Sequence, residues 1–416
     1  MAFAELPYVT VLTRLMQQLA TERMSAGELD SYAAANLGFL SFTTEVATQP
    51  NWKLARPRLL VSAGALSEKM DALATIPREV WSETLFEDTE RMRDVLTQTR
   101  IGMEQSFLMN GHSAALARAM SYVSPAAVLT QQLSGVDFYL FLRDLLEHFD
   151  ERKDDLCRTL RDLRDRIFTS TGAIASFTGS DDDFQRYWTA AGDLGLRPRT
   201  APTKELYVPW PEDKHEAFVI PSDVTYLARA CDPRALDIET DGLWSVASNA
   251  LSYDYLWNEI RVKGGAYGCG FRSPSPRHAS FYTYRDPAID PSLARIEAAG
   301  DWLAAFEPDA DTFEGFIVSC VSGVDAPLKP YALTKRRNAE YFCKAPAGQR
   351  AERRQQMLDA TPEALRALAA DVSRIAHEAP TCVFAGRETI EASAANWNIV
   401  ELMGPGAGTD EALGAE

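Results

Sequence analysis

Histidine is scarce in this chain of 416 residues, which contains only five. No two of them lie within five positions of each other, so the zinc motifs H-E-x-x-H and H-x-x-E-H are both absent. The nearest approach is His377–Thr381, where threonine replaces the second ligand and Pro380 interrupts the helix. Because a catalytic zinc needs at least three correctly placed ligands, we predict no metal site in this chain and no zinc catalysis by it alone.

Motifs for nucleophilic catalysis and nucleotide binding are also missing. Neither a G-x-S-x-G elbow nor a Walker A string occurs. The glycine-rich run Gly264–Gly268 leads from a predicted helix into a predicted strand, whereas a phosphate loop leads from a strand into a helix. No helix N-terminus therefore faces this run, and we predict no phosphate or nucleotide cofactor.

Long apolar runs, cysteine pairs and an excess of basic residues are absent as well. No apolar stretch approaches the ~18 residues of a membrane span, and no basic segment precedes the apolar N-terminus as in a signal peptide. The six cysteines are scattered without a C-x-x-C pair, which favours free buried thiols in a reducing compartment. The net charge of −17 argues against nucleic acid or an anionic membrane as a partner. Arginine outnumbers lysine, and we expect the cytoplasm of a prokaryote, or an organelle matrix if the source is eukaryotic.

A proline-rich segment, Gly195–Asp213, divides the chain into halves of similar length. Its prolines forbid a continuous helix and favour an extended linker. We predict a first domain over residues 1–196, a linker over 197–207 and a second domain over 208–403. The acidic tail over 404–416, rich in glycine and alanine, is predicted to be disordered.

Hydrophobic periodicity predicts both helices and strands in each half. Ser25 and Glu28 form a capping-box pattern at a helix start, and from Glu87 an apolar spacing of three and four predicts a long amphipathic helix. Other elements expected in the first half are strands over Phe39–Val46 and Arg58–Ala63 and helices from Ser67, over Asp137–His148 and over Lys153–Ile167. In the second half we expect strands over Glu216–Ile220, Ala266–Arg272 and Ala279–Tyr284, helices from Pro291, Asp311 and Pro362, and a helix whose apolar face contains Leu243, Val246, Ala250, Tyr253, Trp257 and Ile260.

The two halves end alike. Arg166–Phe184 and Arg374–Ala392 each contain a helix end, a short gap, a strand closing on F-T-G or F-A-G, and a new helix. We therefore predict an α+β fold of two homologous α/β domains, each a mostly antiparallel sheet with helices packed on one face.

The stretch WNEIRVKGGAYGCGF, residues 257–271, joins a helix to a strand through two glycines. Arg261 lies at the helix end, where a cation complements the negative end of the helix dipole. Tyr267, Cys269 and Phe271 are expected on one face of the strand, opposite Gly268 and Gly270. A face of small residues admits a close approach by a ligand or another backbone, and Tyr267 can bring its phenol near the Arg261 guanidinium. Two interpretations of Arg261 stay open: it stabilises the helix dipole, or it contacts a substrate.

With Leu256 before it, this stretch contains the motif LWNEIRVKGGAYG. Two further motifs accompany it: FYTYRDP from Phe281, and an upstream long helix with G-H-x-x-A followed by GVDFYLFL from Gly135. Together they resemble the C-terminal half, the third and fourth domains, of the pitrilysin/insulinase-like zinc metallopeptidases, in the presequence peptidase branch. The resemblance runs through nearly the whole chain.

The resemblance implies a four-domain clamshell whose first domain holds the zinc and whose last domain contributes an arginine and a tyrosine to the substrate. By the motif match these are Arg261 and Tyr267. The chain would then be the non-catalytic, substrate-binding half of an oligopeptidase that degrades unstructured peptides in a closed chamber. Its partner would be an N-terminal catalytic half, either in the same chain, about twice as long, or as a separate subunit. The alternative is a non-enzymatic peptide-binding or scaffold subunit of the same fold.

Other conspicuous residues receive structural interpretations. His112 is expected to bond to local backbone at a helix start, and Arg285 with Asp286 to form a turn with a local ion pair. Tyr207 and Trp210 are expected to pack the two domains together. The basic runs Lys335–Arg337 and Arg350–Arg354 are interpreted as solvated helix faces.

Overall fold

The structure is a computed structural model that describes residues 1–198 and 206–403, with residue 276 excepted. Most of the predicted linker, residues 199–205, and the tail over 404–416 lie outside the described residues. The predicted disorder of the tail and the linker's extended form therefore stay predictions.

The first half is mainly helical around one strand pair. Strands β1 and β2 pair antiparallel, with Phe39 opposite Gly64 and Thr48 opposite Ala55. The capping box at Ser25 is confirmed, since the Ser25 hydroxyl accepts from the Glu28 amide and the Glu28 carboxylate accepts from the Ser25 amide. The elements are α1 (Leu6–Leu15), α2 (Ala26–Asn36), β1 (Phe39–Thr48), β2 (Ala55–Gly64), α3 (Met70–Glu83), α4 (Thr89–Ser121), α5 (Pro125–Ser134), α6 (Val136–Glu147), α7 (Phe149–Ile167) and α8 (Asp181–Ala191).

The second half is built on a six-stranded sheet with the order β5-β6-β4-β7-β3-β8. The β5-β6-β4-β7 part is antiparallel, whereas β3 runs parallel to both β7 and β8. The elements are β3 (Glu216–Val219), β4 (Thr225–Cys231), α9 (Leu243–Ala250) with its π-helical continuation (Leu251–Val262), β5 (Gly268–Ser275), β6 (His278–Asp286), α10 (Asp290–Glu297), α11 (Ala299–Ala304), α12 (Ala310–Asp325), α13 (Pro330–Phe342), α14 (Gln349–Leu358), α15 (Pro362–Ala367), α16 (Ala369–Glu378), β7 (Thr381–Ala385), α17 (Arg387–Glu391) and β8 (Asn398–Glu401).

The predicted mixture of helices and mostly antiparallel sheet is confirmed, but one half of the proposed repeat differs. Thr381–Ala385 is the buried strand β7, whereas the matching residues Ile174–Phe177 form no strand. Neighbouring hydroxyls instead contact α13, where the Ser176 hydroxyl lies 3.1 Å from the Asn338 amide oxygen. The local sequences are alike, but only β7 has strand neighbours on both sides. The homology of the two halves stays a prediction.

Both faces of the large sheet are covered at its centre. One face packs against α9, α11 and α16 of the same half in the largest core of the protein. The opposite face of β4 and β7 packs against α4 of the first half, with Phe107 and Ala115 meeting Tyr226, Ala228 and Phe384. On this face of the sheet, α4 lies over β4 and β7, whereas β5 and β6 lie beside the helix.

The close approach of α4 to the sheet depends on a glycine. Asn110 departs from helical geometry, at φ −131° and ψ 32°. A Cβ on the next residue, Gly111, would lie 2.4 Å from the ring of Tyr226. The Tyr226 hydroxyl donates to the carbonyl of Leu108 at 2.5 Å, so the ring lies directly against the helix backbone.

A buried ion pair joins the same helix to β3. The guanidinium of Arg118 donates to both carboxylate oxygens of Glu216, at 2.6 and 3.1 Å, and to Asp137 at 2.8 Å. The Tyr122 hydroxyl donates to Glu216 at 2.7 Å. Burial alone would raise the pKa of Glu216, but the hydrogen bonds and charge of Arg118 outweigh it and lower the pKa below its ordinary value. Arg118 and Asp137 belong to the first half and Glu216 to the second, so this network ties the halves together.

Of the two aromatic residues expected to pack the domains together, Trp210 does so and Tyr207 does not. Tyr207 is 79% exposed, and the neighbouring Leu206 and Val208 pack against the core instead. Trp210 does contact the first half, with its ring centroid 5.9 Å from that of Trp52. Alternation along an extended segment explains the difference, because the residues on either side of Tyr207 point the opposite way.

The two basic runs lie on α13 and α14, as helix faces, but they are not uniformly solvated. Arg337 pairs with Glu340 and Arg354 with Asp325 at the surface. Arg353 is half-buried, and burial lowers the pKa of its guanidinium.

Replacing Gly111 by alanine should destabilise the protein by about 1–3 kcal/mol, because the added methyl group forces α4 away from Tyr226. The measurement is the midpoint of urea unfolding. The matched control is Gly102→Ala in the same helix, where a Cβ meets nothing within 4 Å. That variant should gain about 0.5–1 kcal/mol from helix propensity. Equal effects of the two substitutions would contradict the contact.

Replacing Glu216 by glutamine should lower the free energy of unfolding by about 3 kcal/mol at pH 7, because Arg118 loses its charged partner in a buried site. The folded pKa of Glu216 is lowered, so its contribution is present above about pH 4.5 and is lost as the pH falls through the folded pKa. The difference in unfolding free energy between wild type and variant, measured with denaturant, should therefore become smaller in acid. Glu391→Gln, which breaks an exposed pair with Arg387, should have little effect at any pH.

Candidate functional site

The helix before the glycine turn changes its geometry midway. The π-helix ends with the Lys263 amide donating to the carbonyl of Asn258, five residues back. Wider turns rotate the apolar face away from the predicted 3.6-residue periodicity. The buried residues of the π-helix are Leu251, Tyr255, Leu256 and Ile260. The prediction was therefore wrong for Tyr253 and Trp257, which are 63% and 39% exposed.

These two aromatic residues and Arg261 follow one another at intervals of four residues along the π-helix. The Arg261 guanidinium lies between two aromatic rings, 4.2 Å from the centroid of Trp257 and 5.2 Å from that of Tyr267. It also donates to the backbone carbonyl of Tyr267. Within the described part of the chain no carboxylate forms an ion pair with Arg261, so the stacked cation keeps donors for another acceptor.

Tyr267 lies in the turn rather than in the strand, and its side chain is 65% exposed. Its amide donates to the carbonyl of Arg285 at 3.2 Å, and its ring meets that of Tyr284 edge-on at 5.8 Å. The prediction that it shares a face with Cys269 and Phe271 is wrong, because regular alternation begins only at Gly268. The predicted approach of the Tyr267 ring to the Arg261 guanidinium is observed.

The bare strand face is covered by tyrosines of the neighbouring strand. A Cβ on Gly270 would lie 3.0 Å from the hydroxyl of Tyr282, and one on Gly268 would lie 3.6 Å from Tyr284. The space that the glycines leave is therefore filled by the protein's own rings, which form an aromatic surface continuous with Tyr267. The alternation Tyr-Thr-Tyr in FYTYRDP, opposite Gly-Cys-Gly in β5, was the sequence signal for this surface.

His112 borders this aromatic surface. Its ring centroid lies 4.9 Å from that of Tyr284 and 5.8 Å from that of Tyr282. It lies two residues after the kink at Asn110, at the start of the second helical segment of α4, which agrees with the predicted helix-start position. The predicted bond to local backbone does not form within the described chain, because Nε2 instead lies 3.3 Å from the Ser113 hydroxyl. Its buried Nδ1 has no hydrogen-bond partner among the described residues. Burial and the nearby Arg272 lower the pKa of the imidazole, which favours its neutral form.

Below the turn lies a buried carboxylate, Asp286, which is 1% exposed. The predicted ion pair with Arg285 does not form, because consecutive strand residues point to opposite sides. Arg285 is exposed and adopts φ +48°, in the left-handed region that non-glycine residues rarely occupy. Burial raises the pKa of Asp286, although Ser292, the Ala288 amide, Thr283 and the charge of Arg295 act against it.

A groove of about 380 Å³ runs beside the outer edge of β5. The edge itself is capped by hydroxyl groups from α9 and the π-helix. The Ser252 hydroxyl bonds to both the amide and the carbonyl of Phe271, each at 3.0 Å, and Ser248 accepts from the Ser273 amide at 3.1 Å. With these backbone groups paired, this part of the edge is closed to the addition of another strand.

The described residues provide no set of ligands for a catalytic zinc. Within residues 1–198 and 206–403, position 276 apart, no three His, Cys, Asp or Glu side chains are grouped closely enough to hold a metal ion. In the same ranges no helix has the length and apolarity needed to cross a membrane. All six cysteines are free thiols. Burial raises the pKa of Cys269, beside the turn, to about 11, so this thiol is protonated at neutral pH.

Two family models match the chain, Peptidase M16C associated over residues 2–145 and PreP C-terminal domain over residues 215–385. The chain corresponds to the C-terminal half of a pitrilysin-like protease. This confirms the family expected from the motifs around Arg261.

Among curated relatives, the chain is 26% identical over 333 residues to Presequence protease 1, chloroplastic/mitochondrial, of Arabidopsis thaliana, covering 79% of this chain and 31% of that protein. It is 24% identical over 388 residues to Protein HypA of Clostridium perfringens, covering 93% of this chain and 40% of that protein. The chain thus spans well under half the length of these relatives.

Two solved structures share the fold. The peptidase M16 inactive domain from Pseudomonas fluorescens has a TM-score of 0.58 at 13% identity, covering 95% of this chain and 90% of that one. Pitrilysin has a TM-score of 0.53 at 16% identity, covering 95% of this chain and 40% of that one. Both confirm the mixed α/β architecture.

Replacing Asp286 by asparagine should stabilise the protein at pH 7 by about 1 kcal/mol, because the amide removes a buried charge and keeps its shape. The folded pKa is raised, so the carboxyl contributes stability below about pH 4 that is lost as the pH rises through the folded pKa. The added stability of the variant should disappear in acid. Thermal unfolding of both proteins from pH 3 to 7 measures this. Asp254→Asn, at an exposed position of the π-helix, should not reproduce this pH profile.

Proposed function

We propose that this chain is the non-catalytic, substrate-binding half of a zinc-dependent metalloendopeptidase that degrades unstructured peptides in a closed chamber. The observation that carries the proposal is the pair Arg261 and Tyr267, with the half-buried guanidinium stacked on the exposed tyrosine ring at the rim of an aromatic surface. A pair that served only sheet packing would not leave the tyrosine ring in solvent. A role limited to the helix dipole would not require the guanidinium to lie between two rings.

The pair supplies the hydrogen-bond donors that peptide hydrolysis requires. The phenol of Tyr267 donates to the oxyanion that develops on the scissile carbonyl, and the guanidinium of Arg261 binds a peptide carbonyl or carboxylate. Trp257 stacks on Arg261 from the other side and limits its rotamers, so less ordering remains to be done on binding. Zinc, which the described residues of this chain do not fit, belongs to a separate N-terminal catalytic half that completes the site.

That catalytic half is either part of the same polypeptide or a second subunit, and the proposal holds for both. We place the enzyme in the prokaryotic cytoplasm, or in an organelle matrix if the source is eukaryotic. Free thiols at all six cysteines suit a reducing compartment. The printed names of two relatives place those proteins in mitochondria or chloroplasts.

In the assembled enzyme, Tyr267→Phe should lower kcat about 100-fold while changing KM little, because the lost hydroxyl acts in the transition state. The measurement is steady-state cleavage of a quenched fluorescent peptide. Tyr341→Phe is the matched control, since Tyr341 is equally exposed (67%) but lies on α13. An unchanged kcat in a correctly folded Tyr267→Phe protein would leave this residue as ordinary surface packing.

The chain by itself should bind no stoichiometric zinc and cleave no peptide. Metal analysis and the same peptide assay test this, and zinc-dependent turnover by the chain alone would contradict the proposal. If the chain binds peptides but gains no activity with any catalytic half, the non-enzymatic scaffold function is favoured instead.

A further inference from the structure

Three arginines surround the aromatic surface, the exposed Arg272 and Arg285 and the half-buried Arg261, and none has an acidic partner among the described residues. Arg261, Arg272 and Arg285 form no ion pair within the described residues, although the chain has a net charge of −17. Elsewhere, exposed arginines such as Arg158 and Arg337 pair with neighbouring carboxylates. An acidic chain that leaves cations unpaired on one surface offers them to an external anion.

Arg272 lies on β5, away from the Arg261 turn, and stacks on a tyrosine of the neighbouring strand. Its guanidinium lies 4.8 Å from the ring centroid of Tyr282, and its Nη2 donates to the Tyr282 hydroxyl at 3.2 Å. Stacking on the ring leaves the remaining N–H groups of the planar fork free to bind a carboxylate through two hydrogen bonds.

The groups that face Arg272 do not neutralise it. His112 on α4 and His278 on β6 are its titratable neighbours, and burial lowers the pKa of both, with a further lowering from Arg272 itself. Asp232 also acts on His278, but this carboxylate is buried and paired with Arg234 at 2.6 Å. Both imidazoles are therefore neutral at pH 7, and the site keeps the charge of one guanidinium.

The groove beside β5 connects this cation to the proposed catalytic contacts. Arg272 and Tyr282 of the sheet line the groove together with Tyr253 and Trp257 of the π-helix. Trp257 also stacks on Arg261, so one aromatic residue borders both positions. From Gly268 to Arg272 the strand rises about 13 Å, which corresponds to about four residues of an extended peptide.

The amide and carbonyl of Phe271 and the amide of Ser273 are already hydrogen-bonded to the hydroxyls of Ser252 and Ser248, so these backbone groups are not free to pair with a peptide. A peptide in the groove must therefore be recognised there through its side chains or its terminus. The free guanidinium of Arg272 makes a carboxylate the matching chemistry.

We propose that Arg272, stacked on Tyr282, is a subsite for a peptide carboxylate about four residues from the bond held at Arg261 and Tyr267. The carboxylate belongs either to an acidic side chain or to the C-terminus of the peptide. The subsite rests on the proposed function, because it assigns a sequence preference to the same peptide-binding surface. It makes Arg272 a specificity-determining residue and leaves the chemical step to other groups.

The test uses the assembled enzyme and a set of quenched fluorescent peptides in which one glutamate moves along an otherwise neutral sequence. Each peptide has a matched glutamine version and is made with a free or an amidated C-terminus. With wild type, glutamate about four residues from the cleaved bond should lower KM about tenfold relative to glutamine, and the preference should weaken in high salt. If the terminus is the natural ligand, amidation should raise KM by a similar factor in peptides of matching length.

Arg272→Gln should abolish this preference, so that the glutamate and glutamine peptides are cleaved with the same KM. Arg272→Glu should reverse it, so that lysine is favoured at the position where wild type favours glutamate. Arg56→Gln is the matched control, because Arg56 is also exposed on a strand and forms no ion pair in the described chain. It should leave every preference as in wild type.

The outcomes separate this subsite from the proposed function. If Tyr267→Phe lowers kcat but Arg272→Gln and Arg272→Glu leave the glutamate preference unchanged, the subsite is overturned and the function stands. A wild type that shows no preference at any position overturns it too. If neither Tyr267→Phe nor the Arg272 variants affect cleavage, the proposed function fails as well.

Discussion

The contact between α4 and the six-stranded sheet determines how the two halves of this chain are arranged. Gly111 brings the helix backbone against the Tyr226 ring, and seven residues later Arg118 pairs with Glu216 of β3 inside the protein. The first contact sets the distance between helix and sheet, and the second sets the position along the sheet. Because α4 covers β4 and β7 but only borders β5 and β6, the glycine–tyrosine surface beside it is left open.

The open surface depends equally on the π-helix that precedes it. In an α-helix the apolar spacing would bury Trp257 with the core, and Arg261 would leave the helix without an aromatic neighbour on that side. The wider turns expose both residues on one stripe, so the guanidinium is held between Trp257 and Tyr267. Irregular helix geometry and the left-handed backbone at Arg285 meet at the same turn. Departures from regular structure that persist in a fold are concentrated at functional sites.

Local chemistry was sufficient to predict much of the fold. The capping box at Ser25, the strand pair near Phe39 and the glycine turn before Tyr267 all follow from short-range patterns. Strand β4 was missed because it is buried on both faces and shows no alternation of apolar and polar residues. The π-helix was missed because hydrophobic spacing does not report which backbone hydrogen bonds form. The pair Arg261 and Tyr267 came from a family resemblance, whereas Arg272 became visible only when its missing acidic partner could be checked in three dimensions.

The serine hydroxyls along β5 have a consequence for the proposed binding of unfolded peptides. Extended chains with free backbone groups join an open sheet edge easily and leave it slowly, and such edges also draw proteins into fibrillar aggregates. Ser248 and Ser252, one helical turn apart, satisfy alternate backbone groups of the strand in advance. Under the proposed function, a bound peptide is then held by separate side-chain contacts, so cleaved fragments dissociate readily and the strand edge does not nucleate aggregation with the substrate.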